Sequence, residues 1–347
     1  MSFAERLRAA RRMARMSQDQ LAQRAGITKQ AVSKYELGKA MPGSRVLLAM
    51  SRALDVSADF FLRPANLPKL QLVAYRRHRT RLSARDRNAI EEKAREQLER
   101  YIEAESLSPQ GRPGGFELPD GWPRVVRSLE EVEDAAVHLR KAWNLGLDAI
   151  ESVTDVLENR GVKVLPISAG EGFQGIMFRE HSSGSPVIVV NENMPGDRQR
   201  LTLAHELGHL VLRPEGQEEE EIAWLFAGAF LMPRQSAVRE MGTDRRELGQ
   251  TELEVLKQKY GMSMQALFRR AWDLSIIRES TYQRMCRDFS RRGWRRREPG
   301  PGVQPERPRR MRQLVGAALA EGCISRARAA ELLNEALNTL TGDAHHD

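Results

Sequence analysis

Cysteine is almost missing from this chain. The two present in 347 residues, Cys286 and Cys323, stand far apart and outside any Cys-x-x-Cys pattern, which excludes a disulfide framework and a thiolate zinc site. Long apolar runs are missing too: no stretch approaches the roughly 18 residues of a membrane-spanning helix. The N-terminal MSFAERLRAARRMARMSQ lacks the apolar core of a secretory signal. No internal repeat of fixed period is present. These absences lead to the expectation of a protein of the bacterial cytoplasm with no membrane partner.

Charge and length are what the chain does have. It carries 41% hydrophobic and 29% charged residues with a net charge of +8, and it is long enough for two or three separate cores. Turn-forming clusters and the periodicity of apolar residues divide it into four regions. Residues 1–65 read as five short helices marked by Leu7, Leu21, Ile27, Val32, Leu47, Leu54, Val56 and Phe60. Residues 66–115 hold the basic YRRHRTR and a highly charged helical linker, ARDRNAIEEKAREQLERYIEAESL, suited to an exposed or domain-bridging role. Residues 116–245 begin after the Pro- and Gly-rich SPQGRPGGFELPDGWP and combine helices with the β-branched runs GVKVLPI and SPVIVVN, with GFQGIMF between them as a third strand. Residues 246–347 form a helical C-terminal region interrupted by the Arg- and Pro-rich RRGWRRREPGPGVQPERPRR.

The first region is built to meet a polyanion. Residues 1–65 contain twelve Lys and Arg against five Asp and Glu. Ser17 and Gln20 have capping-box spacing, Gly26 supplies a tight turn, and Thr28 can cap a following helix whose outer face carries Lys29, Gln30, Ser33 and Lys34. Lys29 and Gln30 can hydrogen-bond base edges, whereas Gln18 at a helix start suits a phosphate. The stretch MSQDQLAQRAGITKQAVSKYELGKAMPGSRVLLAMSRALDVSADFFL resembles the Cro/repressor-type (XRE) helix-turn-helix family. That resemblance implies an all-α, lambda-repressor-like fold, a double-stranded DNA operator of near-palindromic form and a homodimer.

The third region carries RLTLAHELGHLVLRP, read as a helix capped by Asp197 and ended by Pro214. Four-residue spacing puts His205 and His209 on one helical face, where both imidazoles can reach a single metal ion. Glu206 lies about 100° round the helix from His205, placed for a general base and not for a ligand. A third ligand is expected from EEEEIAWLFAGAFLMP, and periodicity does not choose among Glu218, Glu219, Glu220 and Glu221. Together RLTLAHELGHLVL and E-x-x-A-x-x-F-A-x-x-x-LMP resemble the ImmA/IrrE metallopeptidases over most of residues 125 to 285. That resemblance implies a zincin-like α+β domain and selects Glu220 as the third ligand of Zn2+, or of another divalent metal such as Mn2+. It also implies an endopeptidase with Glu206 as its base and a protein substrate such as a repressor. Trp224 stands where the family usually has Asn or Asp, a polar partner to the metal ligands. The alternative is a non-proteolytic DNA-binding repressor or antitoxin whose metal domain senses a metal or a ligand.

Overall fold

A computed structural model of the chain describes residues 2–63, 70–72, 82–109, 115–181 and 183–337. The basic stretch YRRHRTR, Pro64, Pro68, residues 110–114 and residues 338–347 lie outside them. The N-terminal domain consists of α1 (Phe3–Met13), α2 (Gln18–Ala25), α3 (Lys29–Glu36), α4 (Ser44–Leu54) and a 3-10 turn, Ala58–Phe61. The Ser17 hydroxyl accepts the Gln20 N–H at 3.1 Å while the Gln20 side chain accepts the Ser17 N–H at 2.9 Å, so two orphan donors of α2 are satisfied at once. Gly26, at φ 65°, turns the chain into α3, and the Thr28 hydroxyl accepts the Ala31 N–H at 3.2 Å. Leu7, Leu21, Val32, Leu54 and Phe60 meet in the core, with Ile27, Leu47 and Val56 partly buried around them.

The remainder is a mixed sheet between two helical layers. Its strands are β1 (Leu70–Leu72), β3 (Lys163–Ile167), β4 (Gly175–Glu180) and β5 (Pro186–Asn191), in the order β1-β4-β5-β3, with β3 and β5 parallel and the other pairs antiparallel. Period-two alternation lets one strand serve two cores. Ile188 and Val190 of β5 face α6 (Leu129–Ala142), α8 (Gly196–Val211) and α9 (Glu219–Leu231), whereas Val187 and Val189 face α5 (Ala84–Leu107), α14 (Arg310–Ala320) and α15 (Arg326–Leu333). The packing therefore crosses the boundaries expected at 115 and 245. The stretch expected as a linker holds α5, which buries Ile90, Ala94, Leu98, Tyr101 and Ala104 against sheet and C-terminal helices. Its polar face receives α1: Arg6 forks onto Glu99 at 2.7 and 2.9 Å, and Arg12 reaches Glu92 at 3.0 Å.

Around this frame stand β2 (Arg124–Val126), paired in parallel with β6 (Leu212–Pro214), then α7 (Val153–Glu158), α10 (Arg234–Met241), α11 (Gln250–Tyr260), α12 (Met264–Asp273) and α13 (Glu279–Arg291). Two details of the expected metal-motif helix are corrected. Its N-cap is Pro195; the Asp197 carboxylate instead accepts the Arg198 N–H at 2.8 Å and lies 3.5 Å from Lys257. The helix stops at Val211, because Leu212 to Pro214 pair with β2, so Pro214 closes a strand. In the region expected to be helical to the C-terminus, α15 (Arg326–Leu333) ends at the left-handed Asn334.

Residues 298–309 have no regular structure, yet they form a strap bound by carboxylates to helix N-termini. Glu298 accepts the N–H groups of Met264 (2.9 Å) and Gln265 (3.1 Å) and pairs with Lys257 at 2.9 Å. Glu306 accepts the N–H groups of Val153 (2.9 Å) and Thr154 (2.6 Å) and pairs with the buried Arg200. In return Glu158 of α7 accepts the Arg309 and Arg310 N–H groups, at 3.0 and 3.1 Å, where α14 begins. Each carboxylate meets donors that a helix start leaves without an intrahelical partner, in a field that favours negative charge. The strap passes over the first turn of α8, whose Gly196 N–H donates to the Val303 carbonyl at 3.1 Å; a Cβ on Gly196 would run into the Gln304 carbonyl. No described helix is long and apolar enough to cross a membrane.

Candidate metal centre and nucleic-acid interface

The metal motif owes its geometry to a close helix crossing. Gly208 of α8 lies against α9, where a Cβ would stand 3.2 Å from the Ala223 Cα and 3.2 Å from the Phe226 ring. Glycine inside a helix costs about 1 kcal/mol relative to alanine, and here it lets two backbones approach. Ala223, Phe226, Ala227 and Phe230 face inward as the sequence pattern requires, which turns Glu220, three residues before Ala223, toward the histidines.

His205, His209 and Glu220 converge. Their ligand atoms lie within 4.8 Å of one another: the two Nε2 atoms are 3.1 Å apart, His205 Nε2 is 3.4 Å from Glu220 Oε2, and His209 Nε2 is 3.6 Å from Glu220 Oε1. A tetrahedral zinc site with ligands at about 2.0–2.2 Å has ligand-to-ligand edges of about 3.3–3.6 Å, so this donor set fits a divalent cation with one face left open. The imidazoles are almost wholly buried, the Glu220 side chain is 27% exposed, and Glu218, Glu219 and Glu221 stand in solvent. Glu219 comes within 3.6 Å of His209 Nδ1, the nitrogen turned away from the cluster.

Glu206 is placed apart from the three, 3% exposed, under the start of β4, where a Cβ at Gly175 would come 4.0 Å from its carboxylate and 2.6 Å from Thr202. Burial, and then the charge of Glu220, push its pKa up to about 8. A cation among the three donors would draw it back down. The Trp224 ring lies over His205 with centroids 3.9 Å apart and a 30° tilt, so an aromatic surface packs the imidazole where the resemblance leads one to expect a polar partner.

On the N-terminal domain, Thr28, Lys29, Gln30 and Lys34 are exposed along α3, and Ser33 is half-buried. Lys29 pairs with Asp19 at 2.8 Å, both largely in solvent, a contact worth little and easily exchanged. Gln18 is less available than its place at a helix start suggests, because its amide donates to Glu36 at 2.8 Å. Burial pushes the Glu36 carboxyl up, but hydrogen bonds from Arg11 and Gln18 outweigh it and hold the group below its ordinary range.

Comparison with known proteins agrees with this division. Residues 7–61 match the family model described as "Helix-turn-helix", and residues 157–271 match the one described as "IrrE N-terminal-like domain". The chain joins a helix-turn-helix domain to an IrrE N-terminal-like domain. Its helix-turn-helix domain is similar to two proteins of Bacillus subtilis (strain 168): the SPbeta prophage-derived uncharacterized HTH-type transcriptional regulator YonR (44% identity over 61 residues) and the uncharacterized HTH-type transcriptional regulator YqaE (38% over 61 residues). Each match covers 18% of this chain, and 56% and 53% of the respective relatives, so the chain spans about half the length of the curated relatives it matches.

Sequence reasoning missed Arg200, Glu306, Glu298 and Gly175. The first three carry no spacing signal, since Glu306 lies 106 positions from Arg200 and 153 from Val153. Gly175, in a strand, carried the general signal of a close approach.

Proposed function

We propose that the chain is a DNA-binding transcription regulator whose IrrE-like domain is a metal-dependent endopeptidase acting on a regulatory protein. The observation that carries the enzymatic half is the three-donor cluster of His205, His209 and Glu220 with a buried fourth group, Glu206, beside it and outside it; a purely structural site has no use for a base there. The three donors would hold Zn2+ or a comparable ion, which supplies Lewis acidity toward a peptide carbonyl and toward water. Glu206 takes the proton from the attacking water and returns it to the leaving amine, and burial under β4 makes its carboxylate a stronger base than one in water. His205 is oriented from one side by Trp224, and Gly208 sets the distance from Glu220 to the histidines.

On the regulatory side, α3 offers Lys29, Gln30 and Lys34 to the major groove, with Thr28, Ser33 and Gln18 at its margins, on a two-fold operator read by a homodimer in the cytoplasm. A second reading, a repressor whose metal site senses without cutting, is favoured by Trp224 in place of a polar partner. One comparison separates the two: metal content and cellular proteomics of wild type, Glu206→Gln and Glu220→Ala. The peptidase reading expects Glu206→Gln to keep its metal while a substrate protein accumulates, and Glu220→Ala to lose both. Regulation unchanged in Glu206→Gln rejects proteolysis.

A further inference from the structure

Seven arginines and a single acid, Asp288, occupy residues 284–297. The apolar face of α13, with Met285 and Phe289, is buried in the core, and this turns Arg284, Arg287 and Arg291 outward along one stripe. The stripe spans seven residues, about 10 Å of helix, which matches about three base steps at the 3.4 Å rise of a duplex strand. The turn that follows is a folded structure. Gly293, at φ 71°, ends α13; the Trp294 N–H donates to the Phe289 carbonyl at 2.9 Å, and the indole packs edge-on against Phe289 with centroids 5.2 Å apart. The Arg292 guanidinium lies 4.7 Å from the Trp294 ring centroid, and Arg198 donates to the Arg295 carbonyl at 3.0 Å. Arg295, Arg296 and Arg297 are thereby held in solvent on a fixed loop.

Three buried arginines show the contrasting use. Arg6, Arg200 and Arg270 are buried and matched to Glu99, Glu306 and Glu133. In the stretch from 284 to 297, the ion pairs among the described residues are Arg291 with Asp288 and, at 3.9 Å, Arg284 with Glu247. The other five guanidinium charges face no carboxylate among the described residues.

We propose that this surface of α13 and its following turn is a second, sequence-independent contact for the phosphate backbone of duplex DNA. The inference rests on the DNA-reading half of the proposed function, since the helix-turn-helix domain holds a duplex near the rest of the chain. Its cations are all arginine, whose planar fork fits phosphate oxygens in pairs. An acidic protein segment is the competing occupant, and the test separates the two.

The test uses full-length protein on a duplex lacking the operator and on one containing it, with affinity measured across a series of salt concentrations. The variant combines Arg287→Gln, Arg291→Gln, Arg295→Gln, Arg296→Gln and Arg297→Gln, and a matching set carries Lys at the same positions. The slope of log affinity against log salt is expected to fall by about 0.9 for each phosphate that is no longer neutralised, roughly 2 to 4 in all. The Lys set should restore most of it, and preference for the operator should persist. Unchanged metal content and helical signal show that the fold is intact. A slope equal to wild type overturns the inference, as does an unchanged slope with impaired processing of a protein substrate, which assigns the surface to an acidic protein. Lys29→Ala with Gln30→Ala tests the underlying reading separately: if operator preference survives that pair, the α3 interface fails whatever the arginine surface does.

Discussion

Gly208→Ala isolates the helix crossing from the chemistry. One methyl has two opposite effects. In an isolated helix, alanine is better than glycine by about 1 kcal/mol. At this crossing the new Cβ would stand 3.2 Å from the Ala223 Cα, 3.2 Å from the Phe226 ring and 3.3 Å from the Ala223 carbonyl, and two of those three neighbours are backbone that cannot rotate away. Forcing a methyl into a packed interior costs about 1–3 kcal/mol. The metal-free protein should therefore lose between about 0 and 2 kcal/mol, the difference of the two effects.

The effect on metal binding should be larger than that loss suggests. Relief requires α8 and α9 to part by a few tenths of an ångström, and the two distances that cross the helix pair, His205 to Glu220 Oε2 at 3.4 Å and His209 to Glu220 Oε1 at 3.6 Å, already fall in the middle and at the upper end of the tetrahedral edge of about 3.3–3.6 Å. The edge between the two histidines lies within α8 and does not change. We expect a fall in zinc affinity of about tenfold, or about 1.4 kcal/mol, measured by competition with a chromophoric chelator, beside thermal unfolding of the metal-free form. Gly228→Ala is the control, because the nearest atom to its Cβ would be the Arg270 Cδ at an ordinary 3.4 Å; it should keep full zinc affinity. If Gly208→Ala gains about 1 kcal/mol of stability with zinc affinity intact, the crossing is not tight and the explanation of the site's geometry fails.

Glu306→Ala should cost about 3–5 kcal/mol in urea unfolding, because it leaves the buried Arg200 without its carboxylate and the Val153 and Thr154 N–H groups of α7 without an acceptor; a loss below about 1 kcal/mol would make the strap peripheral. Glu158, held up to about 7 by burial against an ordinary 4.5, keeps its proton in the folded state where the unfolded chain has lost it, so its contribution is full below 4.5 and is lost as pH rises through 7. That difference corresponds to about 3 kcal/mol, and Glu158→Gln should flatten stability across that window; an unchanged slope refutes the assignment. Lys29→Ala or Gln30→Ala should each weaken operator binding by about 1–3 kcal/mol at one base position while nonspecific affinity persists, a pattern that footprinting distinguishes from uniform loss.

The parts of this molecule that can be read from sequence are those written in local spacing. Ser17 with Gln20, Gly26, and His205 with His209 declare themselves within five residues, and the unbroken apolar run from Val187 to Val190 signals a strand covered on both faces. The crossing at Gly208 is legible only once Ala223 is placed against it. The buried side of α5 escaped because half of its six buried apolar residues are alanine, Ala89, Ala94 and Ala104, and alanine does not stand out among Glu, Arg and Lys as Leu or Ile would. The strap escaped for a different reason: Pro and Gly correctly rule out regular structure in it, but nothing local tells that Glu298 and Glu306 meet donors far back in the chain.

The strap also fixes the order in which the domain can be completed during synthesis. The stretch matching the IrrE-like family ends at residue 271, well before Glu298 and Glu306 leave the ribosome. Until they do, the Glu306 carboxylate is not there to receive Arg200, and the Val153, Thr154, Met264 and Gln265 N–H groups lack their carboxylate acceptors, although Ser152 and Ser263 already cap α7 and α12. At about 5–20 residues per second, the interval between residues 271 and 306 lasts a few seconds. For that time the nascent chain carries a complete metal-ligand set in an unfinished fold, so a chain truncated after the recognisable domain should behave as a folding intermediate and not as a smaller enzyme.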